Sequence, residues 1–232
     1  MNDVLAEAAQ QMAEEMGLRV AMPASKPELG PYRPMLSARE LGLLLKADYE
    51  GALSPATIVH SLSIDGVQAT IVHDARTDTL GCLVRGTDER ADWVRWNMRW
   101  WPSVECGDTR GWHRGFLQHG RIVYAWCKDR PISWMAGHSL GAAAVQIAGS
   151  SLSIPSVCIA SPLPLYSGGQ PDGSVYVVNY LRADDPVGYV PPALLGFEHV
   201  GRVVRLIPRM SMVSIKAHCL SSYLPMLPDG VL

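Results

Sequence analysis

One stretch predicts the fold of this chain: Gly137-His138-Ser139-Leu140-Gly141. It follows an apolar run over 132–136, which is typical of a buried strand. It precedes a run of small residues over 142–148, which favours a helix because alanine has the lowest helical cost. In so sharp a turn, a Cβ atom on either flanking residue would clash, which accounts for the glycines. At its tip, Ser139 would face the free N–H groups of the helix N-terminus, which suit an oxyanion.

Further strand-like runs precede and follow this turn. They are 68–74, 79–84, 156–160, 174–180 and 201–206. The turn residues at 74–78 predict that the first two form an antiparallel hairpin, and the later runs alternate with helical or loop segments, as parallel strands require. We therefore expect the α/β-hydrolase fold class, with a mixed, mostly parallel central sheet flanked by helices and a nucleophile elbow at Ser139.

The domain organisation is predicted from length and patterning. The chain has 232 residues, of which 48% are hydrophobic, and this suits one domain with a sizeable core. Residues 1–34 combine an amphipathic helical pattern with a proline-rich connector, so we expect them to precede a single α/β-hydrolase domain at 35–232. The capping-box spacing of Ser37 and Glu40 predicts the start of a helix over 37–48.

Charge and cysteine content exclude several classes of partner. The net charge is −2 and no basic stripe is present, so nucleic acid is not expected to bind. The five cysteines are scattered and include no C-x-x-C pair, which predicts neither a zinc site nor a disulfide framework.

Hydropathy bears on location. No stretch reaches the ~18 apolar residues that span a bilayer, and the acidic N-terminus lacks the pattern of a secretory signal. We expect a cytoplasmic protein, or one exported by another route, without a transmembrane segment. Transient contact with a membrane or lipid surface stays open.

Residues suited to acyl transfer follow the predicted strands. The run at 79–84 leads into Arg85-Gly86-Thr87, and a loop after an early strand usually supplies the second oxyanion donor, so the backbone N–H of Thr87 is a candidate. The run at 174–180 leads to Asp184 and Asp185, at the place where a triad carboxylate belongs. The residues alone do not choose between these two aspartates.

A charged and aromatic segment follows Thr87. Asp88-Glu89-Arg90-Ala91-Asp92 is almost entirely charged, and Trp93, Trp96 and Trp100 then recur at helical spacing. One interpretation is an aromatic face packed on the core. The other is a lid or acyl-binding wall near the mouth of the site.

Taken together and in order, these motifs resemble the class 3 lipases, the fungal-type triacylglycerol lipase family within the α/β-hydrolases. The matching stretches are Val84-Arg85-Gly86-Thr87, Asp92-Trp93, His113-Arg114-Gly115-Phe116, Gly137 to Gly141, Asn179 to Pro191, His199-Val200-Gly201, and His218 with Tyr223. The resemblance spans about residues 68–224.

The resemblance implies a catalytic triad of Ser139, Asp185 and His218, with oxyanion donors at Thr87 and Leu140. The implied reaction is cleavage of a small-molecule ester or lipid through an acyl-enzyme, without metal or cofactor.

The resemblance also chooses among candidates. It favours Asp185 over Asp184, because the family's acid stands just before a proline or isoleucine. It favours His218 over His199, because His199 matches a structural His-Val-Gly. His113 precedes the nucleophile, so it is expected to be structural.

Two further readings stay open. A thioesterase or amidase of the same fold would use the same residues. A non-catalytic interaction protein would keep the fold and use its N-terminal segment or tryptophans as binding surfaces. Within ester hydrolysis, the charged stretch at 88–92 favours soluble or small-acyl esters over oil droplets, since lipases cover their site with an apolar helix there.

Overall fold

The structure, a computed structural model, describes residues 36–86, 104–106, 110–209 and 213–230. Several of the sequence predictions fall outside these ranges. They concern the segment 1–34, the oxyanion donor Thr87, the charged stretch 88–92 and the tryptophans Trp93, Trp96 and Trp100.

The described residues form strands, helices and short 3-10 turns. The strands are β1 (Ile58–Ile64), β2 (Val67–Asp74), β3 (Thr79–Arg85), β4 (Val104–Cys106), β5 (Gly111–His113), β6 (Ile132–His138), β7 (Ser156–Ile159), β8 (Leu165–Ser167), β9 (Val177–Arg182) and β10 (Arg202–Leu206). The helices are α1 (Ala38–Tyr49), α2 (Arg114–Cys127), α3 (Leu140–Leu152) and α4 (Leu220–Tyr223). The 3-10 turns are Asp172–Tyr176, Pro186–Tyr189, Ala193–Leu195, Ile215–His218 and Leu224–Met226.

The main sheet is mixed and mostly parallel, which confirms the predicted fold class. Its seven strands lie in the order β1-β2-β3-β6-β7-β9-β10. The first three pair antiparallel, and every pairing from β3 to β10 is parallel. A separate three-stranded antiparallel sheet joins β4, β5 and β8. Because β6 is the central strand, its carboxyl end and the elbow that follows lie in the middle of the row formed by the carboxyl ends of the parallel strands.

Helices cover both faces of this sheet. On β3, the side chains of Cys82 and Val84 pack with α2 and α3, while Leu83 between them packs with α1 and the C-terminal segment. This alternation follows from the two-residue period of a strand. Both faces are apolar because both are buried, as is usual for parallel sheets. Among the described residues, no helix combines the length and hydropathy needed to cross a membrane.

Two local predictions are confirmed. The hairpin forms between β2 and β3. Helix α1 begins with the expected capping box, because the backbone N–H of Glu40 donates to Ser37 Oγ at 3.2 Å and the Ser37 N–H donates to Glu40 Oε2 at 2.7 Å. The cap satisfies two N–H groups that the helix itself leaves without partners.

The predicted strand over 174–180 is wrong at its start. Residues Asp172–Tyr176 form a 3-10 turn, and the strand begins only at Val177. Pro171 precedes this turn, and a Cβ atom on Gly173 would lie 2.8 Å from the Ser150 carbonyl carbon in α3. The segment therefore packs as a turn beneath the helix before it can pair as a strand.

Candidate active site

Ser139 lies at a strained turn between β6 and α3. Its backbone has φ 58° and ψ −126°, a conformation that non-glycine residues rarely adopt. A Cβ atom on Gly137 would lie 2.6 Å from the Gly141 carbonyl oxygen, and one on Gly141 would lie 2.6 Å from the Arg85 carbonyl oxygen. Both glycines are required by backbone atoms that have no rotamer to change. The turn holds the serine fixed at the sheet edge.

His218 faces this serine. It ends the 3-10 turn Ile215–His218, whose first N–H groups are capped when Ser214 Oγ accepts from the Lys216 N–H at 3.2 Å. Its Nε2 lies 2.7 Å from Ser139 Oγ, and its Nδ1 lies 2.9 Å from Asp185 Oδ2. A carboxylate only accepts hydrogen bonds, so Nδ1 carries the hydrogen and Nε2 accepts from the serine hydroxyl. In this arrangement the imidazole can take the serine proton.

Asp185 is fully buried in the loop after β9. It caps the turn Pro186–Tyr189: the Val187 N–H donates to its Oδ1 at 2.9 Å, and the proline that follows suits the first position of such a turn. The Tyr223 hydroxyl donates to Oδ2 at 2.7 Å. Burial by itself would raise the pKa of Asp185. The hydrogen bonds from His218, Tyr223 and Val187 outweigh it, so the pKa lies below its usual value.

The competing candidates have other partners. The Asp184 carboxylate accepts two hydrogen bonds from the Arg182 guanidinium, at 3.0 and 2.8 Å. His199 Nε2 lies 3.3 Å from the Gly188 carbonyl oxygen, and burial lowers the pKa of this histidine to about 4. These contacts hold the Asp185 loop in place from both sides.

The predicted oxyanion donors are only partly described. The Leu140 N–H belongs to the first turn of α3, where helical N–H groups have no partner within the helix and the helix dipole is positive. Thr87 lies outside the described residues, but Gly86 before it lies against the serine: a Cβ atom on Gly86 would be 2.8 Å from Ser139 Cβ. The residue before Thr87 therefore lies beside the nucleophile.

His113 lies in the small sheet, apart from the serine. Its ring packs 4.2 Å from the Phe116 ring, and burial lowers its pKa to about 4. These contacts are those of a packed aromatic residue. Among the described residues, no group of three or more His, Cys, Asp or Glu side chains could hold a metal ion.

Sequence reasoning missed two residues at this site. The Tyr49 hydroxyl lies 3.1 Å from His138 Nδ1 and 2.5 Å from the Gly86 nitrogen, and His138 Nε2 lies 3.0 Å from the His218 carbonyl oxygen. His138 lies next to Ser139 in the elbow stretch, so its position in the sequence could have marked it as part of the site. Tyr49 ends a helix far away in sequence, and nothing in the pattern marked it.

No family model and no curated protein sequence matches this chain. Solved structures do. The Rhizomucor miehei lipase propeptide complex shares 16% identity and a TM-score of 0.55, over 80% of this chain and 78% of that one. Lipase II from Rhizopus niveus shares 17% identity and a TM-score of 0.55, over 83% and 89%.

A third structure is described as a triacylglycerol lipase whose catalytic centre is a serine protease triad. It shares 18% identity and a TM-score of 0.50, over 75% of this chain and 77% of that one.

The mixed sheet with a strained serine elbow on its central strand defines the class as the α/β-hydrolase fold. Within that class, the chain has the fold of the fungal class 3 lipases, which confirms the predicted resemblance at the level of the fold.

Proposed function

We propose that this protein is a serine hydrolase that cleaves carboxylic esters through an acyl-enzyme. One observation carries the proposal: the hydrogen-bonded chain from Ser139 Oγ to His218 Nε2, at 2.7 Å, and from His218 Nδ1 to Asp185 Oδ2, at 2.9 Å. A serine hydroxyl aligned with an imidazole, which a buried carboxylate orients in turn, is the arrangement that activates a nucleophile for acyl transfer.

In the proposed acylation step, His218 accepts the hydroxyl proton as Ser139 Oγ attacks the ester carbonyl carbon. The imidazolium then donates that proton to the leaving alcohol as the C–O bond breaks. Asp185 keeps the imidazole in one tautomer and stabilises its positive charge. In the second step, His218 removes a proton from water, which attacks the acyl-enzyme and releases the carboxylic acid. Neither step requires a metal or cofactor.

The proposed oxyanion hole consists of the backbone N–H groups of Leu140 and Thr87. Support comes from the N-terminal place of Leu140 in α3 and from the approach of Gly86 to Ser139. A donor of this kind lowers the barrier by about 3 kcal/mol. We propose a lid or acyl-binding wall near the mouth of the active site, formed by Trp93, Trp96 and Trp100.

The proposed substrates are soluble or small-acyl esters. The charged sequence Asp88-Glu89-Arg90-Ala91-Asp92 supports this, because a lid that covers the site until it meets an oil surface needs an apolar face.

The experiment that tests the proposal is labelling with a fluorophosphonate, with Ser139→Ala in parallel and the adduct located by peptide mass. We expect one adduct, on Ser139, and none on the variant. A panel of matched p-nitrophenyl esters, thioesters and anilides then compares leaving groups, and we expect the ester to have the highest kcat/KM. Absence of an adduct on folded protein, with and without detergent, would favour a non-catalytic interaction protein. A preference for thioester or anilide would replace the ester assignment only.

A further inference from the structure

A second chain of hydrogen bonds runs beneath the proposed triad. It begins at the Gly86 N–H, which donates to the Tyr49 hydroxyl at 2.5 Å. It continues from Tyr49 to His138 Nδ1 at 3.1 Å, and from His138 Nε2 to the His218 carbonyl oxygen at 3.0 Å. This series of hydrogen bonds therefore connects Gly86, the residue before Thr87, with the backbone of the general base His218.

The direction of each bond in this chain is determined. A carbonyl oxygen only accepts, so His138 Nε2 must carry a hydrogen. Burial lowers the pKa of His138 to about 3, and the ring is therefore neutral at physiological pH, with Nδ1 free to accept. The Tyr49 hydroxyl hence donates to Nδ1 and accepts from the Gly86 N–H. Every donor points the same way, from the oxyanion loop to His218.

The ring of His138 also packs against the general base. The ring centroids of His138 and His218 are 5.2 Å apart, and the planes are tilted by 31°. Tyr49 meets His138 edge-on, with centroids 5.7 Å apart. His138 thus packs against both Tyr49 and His218 as well as linking them by hydrogen bonds.

The Tyr49 end of the chain is anchored by its neighbours. Arg85, just before Gly86, donates from Nη1 to the Asp48 carbonyl oxygen at 3.1 Å, and its Nε lies 3.6 Å from Asp48 Oδ2. Thr70 Oγ1 donates to Asp48 Oδ1 at 2.9 Å. The end of α1 is therefore tied to the middle of β2 and to the end of β3, so that the Tyr49 hydroxyl has a fixed place beside Gly86.

We propose that Tyr49 and His138 are positioning residues that set the distance between the oxyanion loop and the catalytic imidazole. The inference rests on the proposed function and adds these two residues to it. The hydrogen bonds that join them to the site go to the Gly86 N–H and to the His218 carbonyl oxygen. Their effect is to hold Gly86, the residue before the proposed donor Thr87, in register with His218. A misplacement of about 1 Å in such a constellation can cost about 100-fold in rate.

The test uses the full-length protein and a p-nitrophenyl butyrate assay. The variants are Tyr49→Phe, His138→Gln, His138→Leu and the double variant Tyr49→Phe/His138→Leu. Glutamine keeps an N–H that can donate to the His218 carbonyl, whereas leucine keeps none. Tyr124→Phe is the matched control, because Tyr124 is buried in the core on the opposite face of the sheet.

We expect Tyr49→Phe to lower kcat about tenfold or more with KM nearly unchanged, because the link aligns the transition state rather than the bound substrate. Tm should also fall, because the Gly86 N–H loses its acceptor. The rate of fluorophosphonate labelling should fall by a similar factor while Ser139 is still labelled completely. His138→Gln should retain more activity than His138→Leu. The double variant should be no slower than the slower single variant, because both changes break one chain.

The outcomes separate this inference from the proposed function. If the wild-type protein neither hydrolyses esters nor reacts with fluorophosphonate, the proposed function fails before any variant is compared. If the wild type is active and Tyr49→Phe stays within about twofold of it and of Tyr124→Phe, the positioning role is wrong. Losses that multiply in the double variant would also overturn it, since they indicate independent packing effects. Should His138→Leu fail to fold, Tyr49→Phe and His138→Gln still decide the question.

Discussion

The Tyr223 hydroxyl donates a 2.7 Å hydrogen bond to Asp185 Oδ2, the same oxygen that lies 2.9 Å from Nδ1 of His218. Both Tyr223 and Asp185 are fully buried. The Tyr223 oxygen in turn accepts the backbone N–H of Arg182 at 3.1 Å, so its own hydrogen is directed at the carboxylate. Burial raises the pKa of Tyr223, which keeps the hydroxyl a donor. The orientation of Asp185 therefore depends on a residue near the end of the chain.

We predict that Tyr223→Phe lowers both activity and stability. It leaves the Arg182 N–H without its acceptor and removes one donor from Asp185, so the free energy of unfolding should fall by about 1–3 kcal/mol. The pKa of Asp185 should rise, and kcat should fall several-fold. Urea unfolding and ester kinetics measure these effects. The control is Tyr189→Phe, because the exposed Tyr189 hydroxyl donates only a 3.3 Å bond to the Ala183 carbonyl. Equal losses in the two variants would contradict the prediction.

Asp184 and Asp185 are adjacent, and substituting each in turn distinguishes the proposed triad acid from its neighbour. We predict that Asp185→Asn lowers kcat by about 10³–10⁴-fold, because an amide at this position no longer selects the His218 tautomer that accepts the serine proton. Asp184→Asn should retain most of the activity, since Asp184 pairs with Arg182 and not with His218. Steady-state kinetics of both purified variants tests this. Comparable losses of kcat would show that the acid has been assigned to the wrong residue.

Much of the fold could be predicted because it depends on local patterns. Helix α1, the β2–β3 hairpin and the strand-turn-helix at Ser139 each have a short sequence signal, namely a capping box, a turn between apolar runs, and flanking glycines. Strand β1 has only a short signal, the alternation in Ser61-Leu62-Ser63-Ile64. It lies at the sheet edge and most of its side chains are exposed, so its first half shows no apolar face.

The site was predictable only in part. Ser139 is marked by its own stretch, but Asp184 and Asp185 are adjacent and equally acidic, and the difference between them depends on side-chain direction. Arg182 and His218 bind different members of this pair in the structure. Tyr49 lies 89 residues before its partner His138, so no local pattern could connect the two.

The elbow glycines make a prediction about stability. A Cβ atom on Gly141 would lie 2.6 Å from the Arg85 carbonyl oxygen, so Gly141→Ala should destabilise the protein by about 3 kcal/mol or more, or prevent folding. Gly188→Ala is the matched control. Its Cβ would meet Leu181 at 3.5 Å, an ordinary contact, and we expect a change of about 1 kcal/mol or less, toward higher stability. Thermal unfolding measures the stability of both variants. A Gly141→Ala protein as stable as wild type would contradict the close packing of the elbow.

Buried histidines predict a loss of stability in mild acid. Burial lowers the pKa of His119 to about 4 from an ordinary 6.5. Between these values the unfolded chain binds a proton that the folded chain does not. The contribution of the neutral histidine to the free energy of unfolding is therefore fully present above pH 6.5. It falls as the pH decreases, by about 1.4 kcal/mol per pH unit for one such group.

His119→Gln isolates this contribution from those of the other buried histidines. Urea unfolding at several pH values between 7.5 and 4.5 should give a shallower pH dependence for the variant than for the wild type. The difference in slope should approach about 1.4 kcal/mol per pH unit, and it should vanish above pH 6.5. Parallel curves for the two proteins would mean that His119 does not resist protonation in the folded state.

The charged stretch at 88–92 leads to a prediction about substrate form. An apolar lid opens at an oil surface, because the surface replaces the contacts that the lid loses, and activity then rises sharply above the solubility limit of the substrate. A stretch with four charged residues in five gains nothing from an apolar surface. We therefore expect the initial rate on a short-chain triglyceride such as tributyrin to follow a simple saturation curve through its solubility limit. p-Nitrophenyl butyrate should be hydrolysed faster than the palmitate ester. A steep increase in rate at the onset of emulsion would instead indicate a lid that responds to an interface, and the proposed substrate class would have to be long-chain lipids.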